Sequence, residues 1–320
     1  MTQSATIDDI DLKILDKLEA DARIDLKDIA KACSLTSSAI LKRIEKLKTS
    51  KVIVGTGLVL KRGIFGYTSE ATVAITAENS QVDQIAQKVR AIPNVMVCAK
   101  SIGRYNLYSH IFARNLFELD NVTHKIKGIT GIKAISTNIH IDDDAFDSNG
   151  NALYNSKNPL KLDETDLKIL DELIKDSQTP FTKIAKTLSV SHETVRQRFE
   201  KLRKEGLIKK CTIVIDRSKI GYQGTGFFLI SCSENQSVPS TMNALRGLQL
   251  FSTIDRIVGS TFDIFAGANV KDLKNLATIT AKLEKIPEIE NVEVAFLLFT
   301  YYSFIPKPLA PYSCDSIELS

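Results

Sequence analysis

The chain has 320 residues, of which 43% are hydrophobic, and a formal net charge of +4 at pH 7, so it is long enough for two or more packed domains and only mildly basic. It has no apolar run of the roughly 18 residues that cross a bilayer, and its polar first residues are unlike a signal peptide, which excludes a membrane protein and predicts a cytoplasmic one. Five cysteines without a Cys-x-x-Cys pair exclude a disulfide framework and a zinc knuckle, and we expect no metal and no cofactor.

The main feature of the sequence is an internal duplication. Residues 11–67 reappear at 166–222 with a constant offset of 155 and no gap, so that Asp11-Leu-Lys-Ile-Leu-Asp16 recurs as Asp166-Leu-Lys-Ile-Leu-Asp171. A repeat this long is a module with its own core, whereas solenoid units of about 20 to 50 residues need neighbours to bury theirs. We therefore expect the chain to do twice whatever one copy does.

Each copy begins with three predicted amphipathic helices. In the first copy, apolar residues at helical spacing form three stripes, and a short connector at residues 34–37 separates the last two, which is the layout of a helix-turn-helix. Thr36 and its counterpart Ser191 are the predicted N-caps of the third helices. The stripes consist of Ile10, Ile14, Leu15 and Leu18; of Leu26, Ile29, Ala30 and Cys33; and of Ile40, Ile44 and Leu47.

A strand is predicted after the third helix, where it would form the wing of a winged helix-turn-helix. In the second copy, Gly206 can supply a left-handed helix cap, and residues 211–215 alternate as a strand does. In the first copy Lys51 stands in place of that glycine, so the cap must use another geometry or a left-handed lysine at a cost of about 1 kcal/mol. The first winged domain is therefore predicted to be the less stable one.

Charge is divided sharply inside each module. The first two helices are acidic, whereas residues 36–62 carry seven lysines and arginines against Glu45 alone, and the second copy repeats this bias. Basic charge on the third helix and wing lies where these elements would meet DNA phosphates, and release of counterions makes such binding favourable and salt-dependent. The sequence therefore predicts double-stranded DNA as a partner.

A second pattern follows each winged module, in the order β-α-β-β-α-β. This is a ferredoxin-like plan with helices on one face of the sheet and an opposite face that needs a partner. The predicted elements of the first copy are 71–76, 82–89, 95–99, 107–113, 116–126 and 132–139, and those of the second are 226–231, 238–248, 251–258, 263–268, 273–283 and 292–298.

A winged helix-turn-helix, then Gly-Tyr, then a β-α-β-β-α-β domain with Gly-x-x-Asp or a near variant in its central turn resembles the Lrp/AsnC (feast/famine) transcription regulators. The most specific stretch is residues 188–208, which resembles the recognition-helix signature of that family. The resemblance covers nearly the whole chain in two copies. It implies an α+β fold made of two tandem units, each with a winged helix-turn-helix and a ferredoxin-like domain for effector binding and oligomerisation.

The predicted domain boundaries follow from these patterns. An acidic, turn-rich linker at 143–161 would span roughly 20 to 25 Å if flexible, which leaves open whether the two sheet domains pair within one chain or between chains. The resemblance also implies a homo-oligomer. The predicted domains are 7–62 and 162–217 for the winged modules, 66–142 and 221–304 for the sheet domains, and 305–320 for a tail.

The resemblance implies a site for an amino acid or small metabolite near the central turn of each sheet domain. In the first copy Asn106 replaces the motif's aspartate and would lose most of the attraction for a ligand ammonium, which counts against effector binding there. A plain polar turn explains both segments equally well. Carried over, the effector residues are Gly103, Arg104, Tyr105 and Asn106, and Gly259, Ser260, Thr261 and Asp263.

The third helices of the two copies differ at the positions predicted to face a DNA groove. Arginine favours guanine, glutamine favours adenine and glutamate accepts from cytosine, so the second copy is predicted to discriminate more and the operator to be asymmetric. The groove-facing residues are Ser37, Ser38, Leu41 and Lys42 in the first copy and His192, Glu193, Arg196 and Gln197 in the second; Arg43 and Arg198 are expected to hold phosphate or the helix bundle, and Lys48 and Lys210 to contact phosphate.

Two other functions stay open. Sirohaem decarboxylases resemble the same family and occur as fused pairs, and the stretch Tyr105-Asn-Leu-Tyr108 is similar to one of their strands. That chemistry needs histidines and arginines that converge in a sheet-domain pocket, whereas the histidines at 110, 124, 140 and 192 show no ligand spacing, so no catalytic residue is predicted. The third possibility is a metabolite-binding protein with vestigial DNA-binding domains.

Overall fold

A computed structural model describes residues 7–61, 67–141, 162–233 and 237–298. These residues fall into two compact units, one that combines the two helical modules and one that combines the two sheet domains. Like parts of the two copies therefore assemble with each other, and the α+β fold in two tandem copies is confirmed. The predicted linker at 143–161 and the tail at 305–320 lie outside the described residues, so the domain boundaries stay a prediction.

Six α-helices of the described residues build the helical unit, three from each copy. They are α1 (Asp9–Ala20), α2 (Leu26–Cys33), α3 (Ser37–Thr49), α6 (Glu164–Lys175), α7 (Phe181–Leu188) and α8 (His192–Lys204). Thr36 caps α3 by accepting the N–H of Ala39 at 3.2 Å, and Ser191 caps α8 by accepting the N–H of Thr194 at 2.9 Å, which confirms both predicted caps.

The C-terminal ends of α3 and α8 use the same cap with different residues. Gly206 has φ +76° after α8, and Lys51 has φ +56° after α3, so the first copy does place a lysine in the left-handed region. In both, the next residue closes the turn, since the N–H of Val52 reaches the carbonyl of Leu47 and that of Leu207 reaches the carbonyl of Leu202. The geometry is thus shared, and the first copy bears the steric cost.

The strand after each third helix does not form a wing with its own module. Strand β1 (Ile53–Leu60) instead pairs antiparallel with β6 (Ile208–Ile215) of the other copy, with Ile53 opposite Ile215 and Leu60 opposite Ile208. A single exposed strand would leave its backbone N–H and C=O groups without partners, and the duplicate strand supplies them. We call this two-stranded sheet the wing sheet; it joins the two winged copies.

The sheet unit consists of β2 (Ser69–Ala77), α4 (Val82–Arg90), β3 (Val95–Ile102), β4 (Leu107–Ala113), α5 (Leu116–Lys127), β5 (Ile132–Ile141), β7 (Gly224–Cys232), α9 (Val238–Gly247), β8 (Thr253–Val258), β9 (Ile264–Val270), α10 (Leu273–Leu283) and β10 (Ile289–Leu298). Its eight strands form a closed barrel in the order β10-β3-β4-β2-β5-β8-β9-β7, and two α-helices from each copy pack outside it. The predicted β-α-β-β-α-β order is confirmed in both copies.

Two seams close the barrel, and each joins one copy to the other. Strand β5 pairs with β8, with Ile139 opposite Val258, and β10 pairs with β3, with Phe296 opposite Ile102. The prediction that each sheet needs a partner is therefore confirmed, and the partner is the other copy in the same chain. Closure also removes the unpaired sheet edges that promote aggregation.

The inner face of the first sheet carries a buried polar cluster at its centre. Thr72 lies between Asn138 on β5 and His110 on β4, and its hydroxyl is 2.8 Å from Nε2 of His140 and 3.4 Å from Nδ1 of His110. Counted from the Gly-Tyr pair, Thr72 corresponds to Phe227, which stands opposite Ala295 in the second sheet. The polar cluster is thus a feature of the first copy alone.

We expect Thr72→Val to lower the free energy of unfolding of the sheet unit by about 1 to 3 kcal/mol, because valine keeps the shape and leaves a buried imidazole nitrogen without a partner. Thr225→Val is the matched control. Thr225 is equally buried, yet its hydroxyl has no hydrogen-bond partner among the described residues, so its loss should be neutral or stabilising. If chemical denaturation gave the same loss of unfolding free energy for both variants, the Thr72 hydroxyl would contribute nothing to stability.

Candidate nucleic-acid interface

The predicted reading residues lie on the solvent side of α3 and α8. The opposite side of each helix is buried by an apolar triplet, and this fixes which face remains exposed. Leu41 is exposed at 45%, which is unusual for leucine and is compatible with contact to a thymine methyl group. Ser38 and Lys42 are also exposed and Ser37 is half-buried, whereas all four residues of the second copy, His192, Glu193, Arg196 and Gln197, are exposed.

In the second copy three of these side chains form one group. Glu193 accepts from Arg196 through both carboxylate oxygens, from Nε at 2.9 Å and from Nη2 at 2.8 Å, and it also accepts from Nε2 of Gln197 at 3.0 Å. The hydrogen bond from Arg196 is the main cause that holds the pKa of Glu193 below its ordinary value. At neutral pH the group therefore contains a charged carboxylate and a charged guanidinium.

Arg43 and Arg198 hold the helix bundle together. Nη1 of Arg198 binds Asp163 and lies 2.9 Å from Asp166, while Nη1 of Arg43 makes the same contacts in the first copy. The inner aspartates, Asp166 and its counterpart Asp11, are almost fully buried. Of the two roles expected for these arginines, the structure thus shows the one in the bundle, and their contact with phosphate stays a prediction.

Lys48 and Lys210 lie where the two winged copies meet beside the wing sheet. Nζ of Lys48 is 3.3 Å from Oε1 of Gln178, and Nζ of Lys210 is 3.4 Å from the carbonyl of Glu19, so each lysine contacts the other copy. Their contact with phosphate stays a prediction. The same junction contains residues that were not anticipated, such as Arg23, whose guanidinium donates to the carbonyl of Thr179 at 2.6 Å.

The two predicted effector turns use their polar residue for the turn itself. Oδ1 of Asn106 accepts the N–H of Ala77 at 2.8 Å, and Oδ2 of Asp263 accepts the N–H of Cys232 at 2.8 Å, each at the end of the neighbouring strand. Asparagine fills this role as well as aspartate does, and Nδ2 of Asn106 also donates to the carbonyl of Ala77. The replacement is therefore no loss to the turn, which favours the structural explanation of this residue.

The glycine of each turn lies against the other copy at a barrel seam. Gly103 has φ +146° and a Cβ there would be 3.1 Å from the carbonyl oxygen of Val294, while Gly259 has φ +100° and a Cβ there would be 2.9 Å from the carbonyl oxygen of Thr137. Both the backbone conformation and the close approach require glycine. The turn of the first copy thus packs against the sheet of the second copy, and the turn of the second copy packs against the sheet of the first.

The remaining effector positions differ between the seams. Arg104 donates to Glu293 at 3.2 Å across the seam between β3 and β10, and the Tyr105 ring is 6.0 Å from that of Tyr108. Ser260 accepts the N–H of Phe262 within its own turn, and Thr261 is exposed. Effector binding at either turn stays a prediction.

The structure brings together two histidines that are 30 residues apart. The rings of His110 and His140 are 5.4 Å apart, with His110 bonded to Glu70 at 2.6 Å and His140 bonded to Asp255 at 3.0 Å. The sequence spacing of the histidines gave no sign of this pair. Alternation along β4 and β5 places both on the inner face, but their register was needed to show that they meet.

A metal ion or a reactive thiolate would require specific side-chain surroundings. In the part of the chain that the structure describes, no three histidine, cysteine or carboxylate side chains lie close enough together to hold a metal ion. Burial raises the pKa of the Cys98 thiol to about 12, which counts against a reactive thiolate there. Among the described residues, no helix combines the length and apolar character needed to span a membrane.

Comparison with known proteins agrees with this geometry. A model of the AsnC-type helix-turn-helix domain matches residues 7–48 and 162–203, and one of the Lrp/AsnC ligand-binding domain matches residues 70–143. The regulator LrpA of Pyrococcus abyssi is 35% identical over 141 residues, which cover 43% of this chain and 96% of LrpA. Regulatory protein AsnC of Haemophilus influenzae is 31% identical over 138 residues, which cover 41% of this chain and 88% of AsnC.

The two-copy architecture also occurs in a solved structure. The crystal structure of the siroheme decarboxylase NirDL has a TM-score of 0.63 to this chain, and the match covers 96% of this chain and 98% of NirDL. Sequence identity is 16%, so the likeness shows a shared fold over both copies. Fold alone leaves function to be argued from the side chains.

Proposed function

This chain belongs to the Lrp/AsnC family of transcription regulators, and from that premise we propose that it is a sequence-specific DNA-binding regulator with an asymmetric operator. The observation that carries the proposal is the pair of exposed recognition helices, α3 and α8, which share one frame and differ in their reading residues. Small hydroxyls, a leucine and a lysine face solvent on α3, and an acidic, basic and amide group faces solvent on α8. One chain therefore presents two recognition helices with different exposed residues.

Selection of duplexes from a random pool tests this proposal. The expected result is an imperfect repeat whose two half-sites differ, with affinity that falls steeply between two salt concentrations because phosphate contacts release counterions. Selection of a perfect palindrome would contradict the proposal that the two recognition helices prefer different bases. If the protein bound no duplex at low salt, the remaining interpretation would be a metabolite-binding protein with vestigial DNA-binding domains. Replacing Arg196 with alanine should cost about 1 to 3 kcal/mol at one base pair.

The proposal extends to an effector and to assembly. We expect an amino acid or small metabolite to alter DNA binding, and repeating the selection with a panel of amino acids would identify it. Because the sheet domains already pair within one chain, one chain takes the place of a dimer, and a homo-oligomer would be built from such chains. Light scattering of the purified protein, with and without the effector, gives the number of chains.

A decarboxylase is the second candidate, and it has specific support. NirDL shares the fold over the full length, and His110 and His140 converge inside the barrel. Both rings are hydrogen-bonded, however, to Glu70, Thr72 and Asp255, and His140 is buried, so neither imidazole is presented to a large macrocycle. We therefore propose that the protein is not an enzyme. A spectral shift and decarboxylation on incubation with sirohaem would overturn this.

A further inference from the structure

We propose that Glu193 is a specificity-determining residue of the second recognition helix, where it positions Arg196 and Gln197 for bases and itself reads none. The inference rests on the proposed DNA-binding function and deepens it. It replaces the expectation that each of the three side chains reads a base independently, with glutamate accepting from cytosine.

The hydrogen bonds of Arg196 determine which edge of its guanidinium remains available. Glu193 takes the side edge, because its two oxygens accept from Nε at 2.9 Å and from Nη2 at 2.8 Å. A guanidinium has five N–H donors, and one donor of Nη1 and one of Nη2 remain side by side at the outer edge. That edge is the two-donor fork that matches O6 and N7 of guanine, and the carboxylate thus leaves the guanine-reading edge unused.

Gln197 is oriented by the same carboxylate. Its Nε2 donates to Oε1 of Glu193 at 3.0 Å, which leaves the second amide N–H and the amide oxygen. One donor and one acceptor side by side are what the N7 and N6 positions of adenine require. With three N–H groups already on its two oxygens, Glu193 has roughly one of its four acceptor sites left and is poorly suited to read cytosine.

This arrangement exists only in the second copy. With the constant offset of 155, the counterparts of Glu193, Arg196 and Gln197 are Ser38, Leu41 and Lys42, which contain no carboxylate. Glu193 and Arg196 are about half exposed, and exposed ion pairs of this kind contribute little to folding. Holding a long side chain in its bound rotamer before binding instead lowers the entropy cost of the contact, an effect of roughly three- to tenfold in affinity for one side chain.

The test compares Glu193→Gln with Glu200→Gln in the full-length chain. Both variants remove one carboxylate from the exposed surface of α8, so any general gain in DNA affinity from lost negative charge is matched. The readout is affinity for the selected duplex against its three single-base variants at the guanine read by Arg196. We expect Glu193→Gln to lower the preference for guanine three- to tenfold and Glu200→Gln to leave it unchanged.

The outcomes separate this inference from the function on which it rests. Equal guanine preference in the two variants overturns the role of Glu193 while DNA binding stands, whereas failure of the unchanged chain to bind duplex overturns the proposed function. Adding Glu193→Gln to Arg196→Ala should cause no further loss of preference, because the residue it positions is gone. A lost preference accompanied by a lower melting temperature than that of Glu200→Gln would make the role structural and overturn the proposal.

Discussion

Replacing Arg198 with alanine is expected to lower the free energy of unfolding of the second winged copy by about 3 kcal/mol, because it leaves the buried Asp166 carboxylate without its cation. Asp166 also completes the capping box of α6 with Asp163, so the first turn of that helix is affected too. Chemical denaturation followed by circular dichroism measures the loss. Arg43→Ala repeats the test in the first copy, where Asp11 is fully buried.

Arg196→Ala is the matched control, since it removes another arginine two residues away on the same helix. Its guanidinium pairs with an exposed carboxylate, so we expect a change in stability within about 0.5 kcal/mol and a change in base preference instead. We therefore expect Arg198 to contribute to the stability of the fold and Arg196 to contribute to base preference. If Arg198→Ala kept its stability but lost affinity for DNA, this assignment would be wrong and Arg198 would be a phosphate-contacting residue.

The contribution of Arg198 is also expected to depend on pH. Its hydrogen bond is the main cause that holds the pKa of the Asp163 carboxyl below its ordinary value, which is about 3.9 in an unfolded chain. A carboxyl whose pKa is lowered by folding contributes stability that is fully present above the unfolded pKa and is lost as pH falls through the folded one. The difference in the free energy of unfolding between the original chain and Arg198→Ala should therefore be constant at neutral pH and become smaller below about pH 4.

Replacing Gly224 with alanine is expected to destabilise the barrel by about 3 kcal/mol, near the upper end of ordinary overpacking. A Cβ on Gly224 would lie 2.3 Å from the carbonyl oxygen of Leu297 and 2.6 Å from Cζ of Phe296. The first of these is backbone of the paired strand β10, which cannot rotate aside as a flexible side chain does. Strands β7 and β10 would have to separate where Gly224 stands opposite Leu298.

Gly267→Ala provides the control, because it lies on the adjacent strand β9 and its Cβ would come no nearer than 3.8 Å to Thr253. Alanine there should change stability by less than about 1 kcal/mol, and its sign can be favourable because the unfolded chain loses freedom. Thermal unfolding of both variants gives the comparison. Equal melting temperatures would mean that the close approach of β10 to Gly224 is absent in solution.

Local features of the fold were predictable from local patterns. The helical spacing of apolar residues gave all three helices of each winged copy, and the hydroxyls of Thr36 and Ser191 marked where α3 and α8 begin. Alternation gave the strands of both sheet domains in the right order. The alignment of Lys51 with Gly206 left two possibilities for the first cap, and the structure has the left-handed lysine.

What could not be predicted depends on which strand pairs with which. Periodicity places a side chain on one face of a strand and carries no information about the neighbouring strand, so neither the wing sheet nor the two barrel seams were visible. The meeting of His110 with His140 was missed for this reason. The role of Arg198 stayed ambiguous because a long side chain on a helix can reach outward to phosphate or back to the acidic end of a neighbouring helix.

The barrel seams give the molecule a property that separate subunits lack. Where two chains must meet to close a barrel, the fraction that is closed falls on dilution, and the stability of each half depends on how much of the other is present. Here Ile139 and Val258, which face each other across one seam, belong to one polypeptide, so closure is unimolecular. The fraction of closed barrels is then not lowered by separation of its two halves on dilution, and the two unlike halves always occur in equal number.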